Sequence, residues 1–379
     1  MKISVSTASG VEAVTKRELY DIAGQKDLAA INGRITFEGG WKEVSECNLN
    51  LRTADRVGIV LGEFKAEDFD GLFEGIRNIP WEDFIDPHGK IVVSAKCVES
   101  AIHALSATQS IVKKAICTRL QRVYGINELA EDGERFKVEA AITRNFATIT
   151  LDTSGEGLHK RGYRTLVDHA PLKETLAAAM IKLSVWNADR PFADLFCGSG
   201  TLPIEACLIA KNIPCGLNRN FDFLEWKCAD KSIFAQVKQE ATSNIDLKRE
   251  VRISGFDIDD SQIKLALKHA AAAGVGEYIH FQRADAADFS SAKRYGVIIS
   301  NLPYGERLSD RKGIEKLYKT YGKVFSSLKD WSAYTITPVD DFERLFGRKA
   351  DKKRKLYNGG IECTYYAMLG EKPPRRERE

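Results

Sequence analysis

Several familiar signals are missing from this sequence. No apolar run approaches the ~20 residues that a membrane-spanning helix requires. The opening Met1-Lys2-Ile3-Ser4-Val5 lacks the charged-then-apolar layout of a secretory signal, so a cytoplasmic location is expected. The eight cysteines include no C-x-x-C pair, and no H-E-x-x-H stands among the six histidines. No metal site is therefore expected, and the scattered thiols read as buried cysteines of a reducing compartment. An excess of charge of one sign is also missing, since the formal net charge is only +3. What remains is ordinary for a globular protein: 379 residues, 44% hydrophobic and 29% charged. Collagen-like and disordered classes are excluded, and the length suits two or three domains.

The charge is unevenly spread. Residues 1–165 carry 22 Lys/Arg against 24 Asp/Glu, and the remainder 34 against 29. Basic clusters stand at Arg348-Lys349-Ala350-Asp351-Lys352-Lys353-Arg354-Lys355 and in the tail Arg375-Arg376-Glu377-Arg378. Both could hold phosphate by charge pairing, although such runs are more often solvated surface.

Periodicity divides the chain into α/β units. The first reads as a strand at Ile3–Val5, a helix over 11–19, a turn at Asn32-Gly33, and strands at Ile35–Phe37 and Arg56–Leu61. A second has a strand at Ile91–Ala95 and a helix capped by Ser106 or Thr108, with Val112, Ile116, Leu120 and Val123 on one face. Lys113, Lys114, Arg119 and Arg122 flank that stripe. Alternating strands at Phe136–Ala140 and Ala147–Leu151 close the unit as a hairpin. From about residue 170, strands alternate with helices, the pattern of a parallel sheet with crossover helices. Its strands are expected to end at Asp194, Asp257, near Asp285 and at Asn301, with a fifth at Tyr334–Thr337. An antiparallel hairpin through Asn358-Gly359-Gly360 then supplies one reversed edge strand. The domain junction is placed in Leu158-His159-Lys160-Arg161-Gly162-Tyr163-Arg164.

Four motifs sit at the strand ends, where open parallel sheets bind ligands. The first is Asp194-Leu195-Phe196-Cys197-Gly198-Ser199-Gly200-Thr201, a glycine turn that lets backbone approach a ligand. Pro203 stands where a dinucleotide fingerprint wants its third glycine, which disfavours a nicotinamide dehydrogenase. The second is Asp257 in Gly255-Phe256-Asp257-Ile258-Asp259, whose carboxylate can accept bonds from two ribose hydroxyls, with helix capping as the bland alternative. The third, Asp285-Ala286, could receive an exocyclic adenine amine or be a plain turn. The fourth, Asn301-Leu302-Pro303-Tyr304, combines an amide side chain, a backbone carbonyl and an aromatic ring. Two acceptors aimed at one NH2 orient its lone pair toward an electrophile, and the ring can stack on the base that carries the amine.

The order of these motifs with a reversed last strand resembles the class I S-adenosylmethionine-dependent methyltransferases, and Asn301–Tyr304 resembles the (N/D/S)-P-P-(Y/F) motif of those acting on exocyclic amines. Leu158–Arg164 together with Ala170-Pro171-Leu172-Lys173-Glu174-Thr175-Leu176 is similar to the segment that opens the catalytic domain of THUMP-containing RNA methyltransferases. The group that forms N2-methylguanosine in bacterial 23S rRNA is the nearest in pattern. The resemblance implies a ferredoxin-like domain over residues 1–64, a THUMP RNA-binding domain over 65–155 and a Rossmann-like methyltransferase domain over 156–379. It assigns Asp194, Cys197, Gly198, Ser199, Gly200, Thr201, Asp257, Ile258, Asp285 and Ala286 to S-adenosylmethionine. Asn301, Leu302, Pro303 and Tyr304 go to the target base, and Lys113, Lys114, Arg119, Arg122, Lys160, Arg161 and Arg164 to RNA. Leu302 replaces the family's first proline; the acceptor carbonyl survives, and a loss of loop rigidity is expected. Adenine-N6 methylation is the rival activity, because the same motif serves that amine. A catalytically silent RNA-binding or ribosome-assembly factor is the rival from another class.

Overall fold

A computed structural model of the chain describes residues 1–26, 28–31, 33–164, 172–304 and 311–374. Asn32 of the expected first turn, Ala170 and Pro171, and the 375–378 basic tail lie outside these. Two compact units emerge. The first comprises Met1–Thr7, Glu18–Leu158 and Arg219–Glu240, the second Ala8–Arg17, His159–Asn218 and Ala241–Glu379.

The first unit is built on one seven-stranded sheet. In chain order the elements are β1 (Lys2–Thr7), α1 (Glu12–Ala23), whose residues through Arg17 belong to the second unit, β2 (Ala30–Ile31), β3 (Arg34–Glu38), α2 (Trp41–Asn50), β4 (Ala54–Lys65), α3 (Phe69–Arg77), β5 (Lys90–Val98), α4 (Leu105–Tyr124), β6 (Arg135–Thr143) and β7 (Phe146–Asp152). Strand order is β2-β3-β1-β4-β7-β6-β5. In β6, Phe136, Val138, Ala140 and Ile142 alternate inward. The link to β7 is the two-residue turn Arg144-Asn145, whose φ of 52° and 62° match the twist of a tight hairpin. Helix α4 begins at Leu105 with Ala104 at its N-cap and no side-chain cap. The expected cap at Ser106 or Thr108 is thus corrected: Thr108 lies inside the first turn, its hydroxyl donating to the Ala104 carbonyl at 3.0 Å. Val112, Ile116 and Leu120 are buried, but Val123 faces solvent in the last turn, where Gly125 ends the helix.

The second unit also holds a seven-stranded sheet; after β7 the elements are α5 (Glu174–Leu183), β8 (Phe192–Asp194), α6 (Thr201–Ala210), α7 (Lys231–Ser243), whose residues through Glu240 belong to the first unit, β9 (Ile253–Asp257), α8 (Asp260–Ala272), β10 (Ile279–Arg283), β11 (Val297–Asn301), α9 (Arg311–Ser327), β12 (Ser332–Thr337), α10 (Phe342–Phe346), β13 (Lys352–Asn358) and β14 (Ile361–Met368). The order β10-β9-β8-β11-β12-β14-β13 is parallel through β12. Strand β14 runs antiparallel to β12 and to β13. The expectation of a reversed edge strand is corrected on this point: the reversed strand lies between β12 and β13.

Residues 219–240 lie within the 156–379 span yet group with the first unit. Phe221, Phe223 and Trp226 are buried in that unit's core, Trp226 stacked on Phe136 at 5.1 Å between centroids. Arg135 holds Asp222 through two nitrogens at 2.8 and 3.0 Å. Conversely, Val11 and Val14 belong to the core of the second unit. Among the described residues no helix is long and apolar enough to cross a membrane.

Candidate active site

At the carboxyl ends of the parallel strands of the second unit opens a cavity of about 760 Å³. Asp194, Cys197, Gly198, Ser199 and Thr201 line it after β8, Asp257 and Ile258 after β9, Asp285 and Ala286 after β10, and Asn301 and Pro303 after β11. Four separate motifs are thus brought to one place. Gly200 does not line the cavity. At φ +85° it turns the loop, and a Cβ there would meet Ala266 at 2.9 Å and Phe281 at 3.1 Å. Its use is close packing in the left-handed region, which corrects its assignment as a ligand contact.

The carboxylates are held by backbone. Asp257 accepts from the Gly198 N–H at 2.9 Å and the Asp259 N–H at 3.0 Å, tying the glycine loop to the next strand. Asp285 accepts from the Ala287 N–H at 2.9 Å. Asp194 is 2% exposed, and its Oδ1 accepts from the Ser300 hydroxyl at 2.7 Å and the Phe196 N–H at 3.1 Å. Burial pushes its carboxyl up to about 7 despite those two bonds. Burial likewise raises Asp257 and drives the Cys197 thiol well above its ordinary range, so Cys197 is a neutral wall and no nucleophile. The set fits S-adenosylmethionine: each carboxylate has lone pairs beyond those its amides use, suited to ribose hydroxyls and an amine, and Ile258, Ala286 and Phe196 offer apolar flanks for a flat base.

The fourth motif is braced from two sides. The Asn301 side-chain oxygen is buried and has no hydrogen-bond partner among the described residues. An orphaned buried acceptor costs ~1–3 kcal/mol until a donor arrives, so the site asks for an N–H. Leu302 is fully buried with Tyr318, Tyr321 and Phe325, and its N–H donates to the Ile336 carbonyl at 3.3 Å. Proline could make no such bond, so the expected loss of rigidity is corrected: the leucine is fastened to β12 by other means. Neither Leu302 nor Tyr304 is among the cavity-lining residues. The Pro303 carbonyl accepts from the Tyr318 hydroxyl at 3.2 Å, and the Tyr304 hydroxyl accepts from the Asn358 amide at 2.9 Å.

The basic residues separate sharply. Arg161 is 4% exposed with its Nε 3.5 Å from Glu205 Oε1, and the Tyr163 hydroxyl donates to the same oxygen. Arg164 reaches Glu174 at 3.4 Å, the Leu172 carbonyl at 3.1 Å and the Thr201 hydroxyl at 2.5 Å. Both arginines are internal braces, which corrects their expected placement on an RNA-facing surface. Lys160 is exposed. In the first unit Lys113 pairs with Glu131 at 2.8 Å and Arg119 with Glu82 through two nitrogens, whereas Lys114 and Arg122 are exposed without an ion pair among the described residues.

Sequence reasoning missed Gly313, Lys316, Leu317 and Thr320, which line the cavity from α9. Their i, i+3, i+4, i+7 spacing marks one helix face, but spacing does not say what a face looks upon. Phe196 and Gln262 also line it, and neither residue type carries a local signal.

Comparison with known proteins agrees with this geometry. The family described as "RMKL-like, methyltransferase domain" matches residues 161–367, an "RlmL ferredoxin-like domain" residues 2–58 and a "THUMP domain" residues 66–152. "Putative RNA methyltransferase YpsC" of Bacillus subtilis is 42% identical over 97% of this chain and 96% of its own. "Ribosomal RNA large subunit methyltransferase K/L" of Psychromonas ingrahamii is 34% identical over 95% of this chain, which spans only 49% of that relative. A structure described as "SMU.472, a putative methyltransferase complexed with SAH" is 41% identical with a TM-score of 0.93 over 98% of this chain and 99% of its own. A structure from Listeria monocytogenes, described as a "predicted N6-adenine-specific DNA methylase", is 42% identical with a TM-score of 0.92 over 98% and 96%.

Proposed function

From the premise that the chain belongs to the RMKL-like methyltransferase family, S-adenosylmethionine-dependent enzymes here joined to a THUMP domain, we propose that it forms N2-methylguanosine in large-subunit rRNA. Support for large-subunit rRNA comes from the K/L relative, and the guanine rests on the resemblance of Asn301–Tyr304 to the amine-methylating motif. Support for amine chemistry comes from the buried Asn301 oxygen at the cavity wall, unpaired among the described residues. That oxygen is the observation that carries the reading.

In this proposal residues 1–64, 65–155 and 156–379 keep the ferredoxin-like, THUMP and catalytic roles, and the protein acts in the cytoplasm. The loop from Asp194 through Thr201 would hold the methionine part of the cofactor, Asp257 the ribose and Asp285 the adenine amine, with Ile258 and Ala286 along the base. When bound, S-adenosylmethionine supplies an electrophilic methyl group. Asn301 Oδ1 and the Leu302 carbonyl take the two hydrogens of the target NH2 and turn its lone pair inward. Tyr304 stacks on the base, and Lys114, Arg122 and Lys160 contact phosphate. No strong base is needed before attack, because the amine loses its proton once it has become cationic. A base inside structured RNA must leave its stack to reach such a site.

The test is methylation of rRNA from cells lacking the protein, followed by nucleoside mass spectrometry. N2-methylguanosine is the expected product. N6-methyladenosine would establish the second reading, which the adenine-specific description of the Listeria relative favours. Asn301→Ala should cut turnover by about 10²–10³-fold, the usual loss for one preorganised hydrogen-bonding group, at unchanged SAH affinity. Near-wild-type turnover in that variant would remove Asn301 from the chemistry.

A further inference from the structure

We propose that β13 is a track for the sugar–phosphate backbone of the substrate RNA, leading along the sheet edge to the target base; the proposal rests on the RNA reading above. Among the described residues strand β13 is the last in its sheet, with β14 as its one strand neighbour, and Lys352, Lys353, Arg354 and Lys355 on it are all exposed. Successive residues of a strand point to opposite faces, so these four cations form two rows. On one face Lys353 pairs with Glu343 at 2.5 Å and Lys355 with Glu362 at 2.8 Å. On the other, neither Lys352 nor Arg354 has an ion pair among the described residues, and Arg354 Nη1 donates to the Gly10 carbonyl at 2.9 Å.

That second row continues through the buried Leu356 to Asn358, whose amide holds the Tyr304 hydroxyl at 2.9 Å. From Lys352 to Asn358 an extended strand covers about 20 Å. One face of one strand therefore carries open positive charge at one end and the anchor of the candidate stacking ring at the other. Lysines on an edge strand also discourage sheet-to-sheet pairing. That duty needs charge but no particular row, and the neutralised row would serve it equally. A strand of phosphates needs the open row. Phosphate contacts of this kind fix register without reading sequence.

The experiment compares full-length Lys352→Gln/Arg354→Gln and Lys353→Gln/Lys355→Gln with wild type, using large-subunit rRNA from cells lacking the protein. Filter binding is measured over a salt series, and SAH affinity and melting temperature are measured alongside. Each phosphate contact to single-stranded nucleic acid contributes about 0.7 to the slope of log K against log salt. The first variant should therefore show a slope shallower by about 1.4, with SAH affinity unchanged, while the second keeps the wild-type slope. Lys352→Gln alone leaves the Gly10 bond intact and should show half the change. Equal slopes in wild type and first variant, or equal changes in both double variants, would overturn the track alone. A wild-type chain that binds SAH but neither binds nor methylates this RNA would overturn the RNA reading together with the track.

Discussion

Asp194 shows how a single buried carboxyl can serve geometry at a cost in stability. Its proton is held up to about pH 7, against 3.8 for the free side chain, because burial penalises the charge more than Ser300 and the Phe196 amide stabilise it. Between those values the folded state keeps a proton that the unfolded chain has released. Stability must therefore fall as pH rises through this window, by at most about 1.4 kcal/mol per unit. Urea midpoints at about pH 5 and about pH 8 should diverge between wild type and Asp194→Asn, wild type losing more on the alkaline side. Parallel shifts in both proteins would mean that the carboxyl is not what titrates. Tyr304 makes a second case. Sequence alone makes its hydroxyl expendable, since stacking needs only a ring; the structure gives that hydroxyl the Asn358 amide as partner. Tyr304→Phe and Asn358→Ala should each raise the KM for RNA several-fold, and the double variant should be no worse than either single one. Additive losses in this cycle would show that the two side chains act independently.

Elements explain what residues cannot. The glycine loop is fastened to two of them and to the segment before α5: Asp257 from β9, the Ser199 carbonyl to His269 of α8 at 3.1 Å, and Thr201 to Arg164. The loop after β11 is fastened by β12 through Leu302, by α9 through Tyr318 and by β13 through Asn358. In Leu302→Pro the family's usual residue would be restored at the price of an amide donor and a fully buried side chain. We expect a loss of about 1–3 kcal/mol and no gain in turnover, measured by urea melts and initial rates. A faster enzyme at unchanged stability would mean that rigidity at residue 302 had indeed been lacking. The motifs were legible because each is a short run at a strand end. Arg161 and Arg164 were misread because a basic cluster in sequence does not show that Glu205 and Glu174 arrive from other elements to enclose it.

At the scale of the molecule, the two units exchange chain segments. A fragment of residues 155–379 would retain every cavity residue yet lack Val11 and Val14 from its own core. It would also carry Phe221, Phe223 and Trp226 without the core that buries them. At about 1.5–3 kcal/mol for each large apolar side chain left exposed, the sum rivals the 5–15 kcal/mol stability of a typical domain. The fragment should therefore unfold without a cooperative transition, or aggregate, whereas the full chain binds SAH; calorimetric scans of both would decide. A fragment that melts sharply and binds SAH like the full chain would show that these segments are dispensable. The strand–helix alternation after residue 170 and the four strand-end motifs could be read from the chain alone, because strand periodicity, turn residues and short motifs are local properties. Only the tertiary structure decided which cations are braces and which stay open, how Leu302 is held, that β14 is enclosed by β12 and β13, and that residues 219–240 belong to the first unit's core. Each of these depends on partners that other segments of the fold bring in, and burial and pairing energies are set by such partners rather than by the local pattern of the chain.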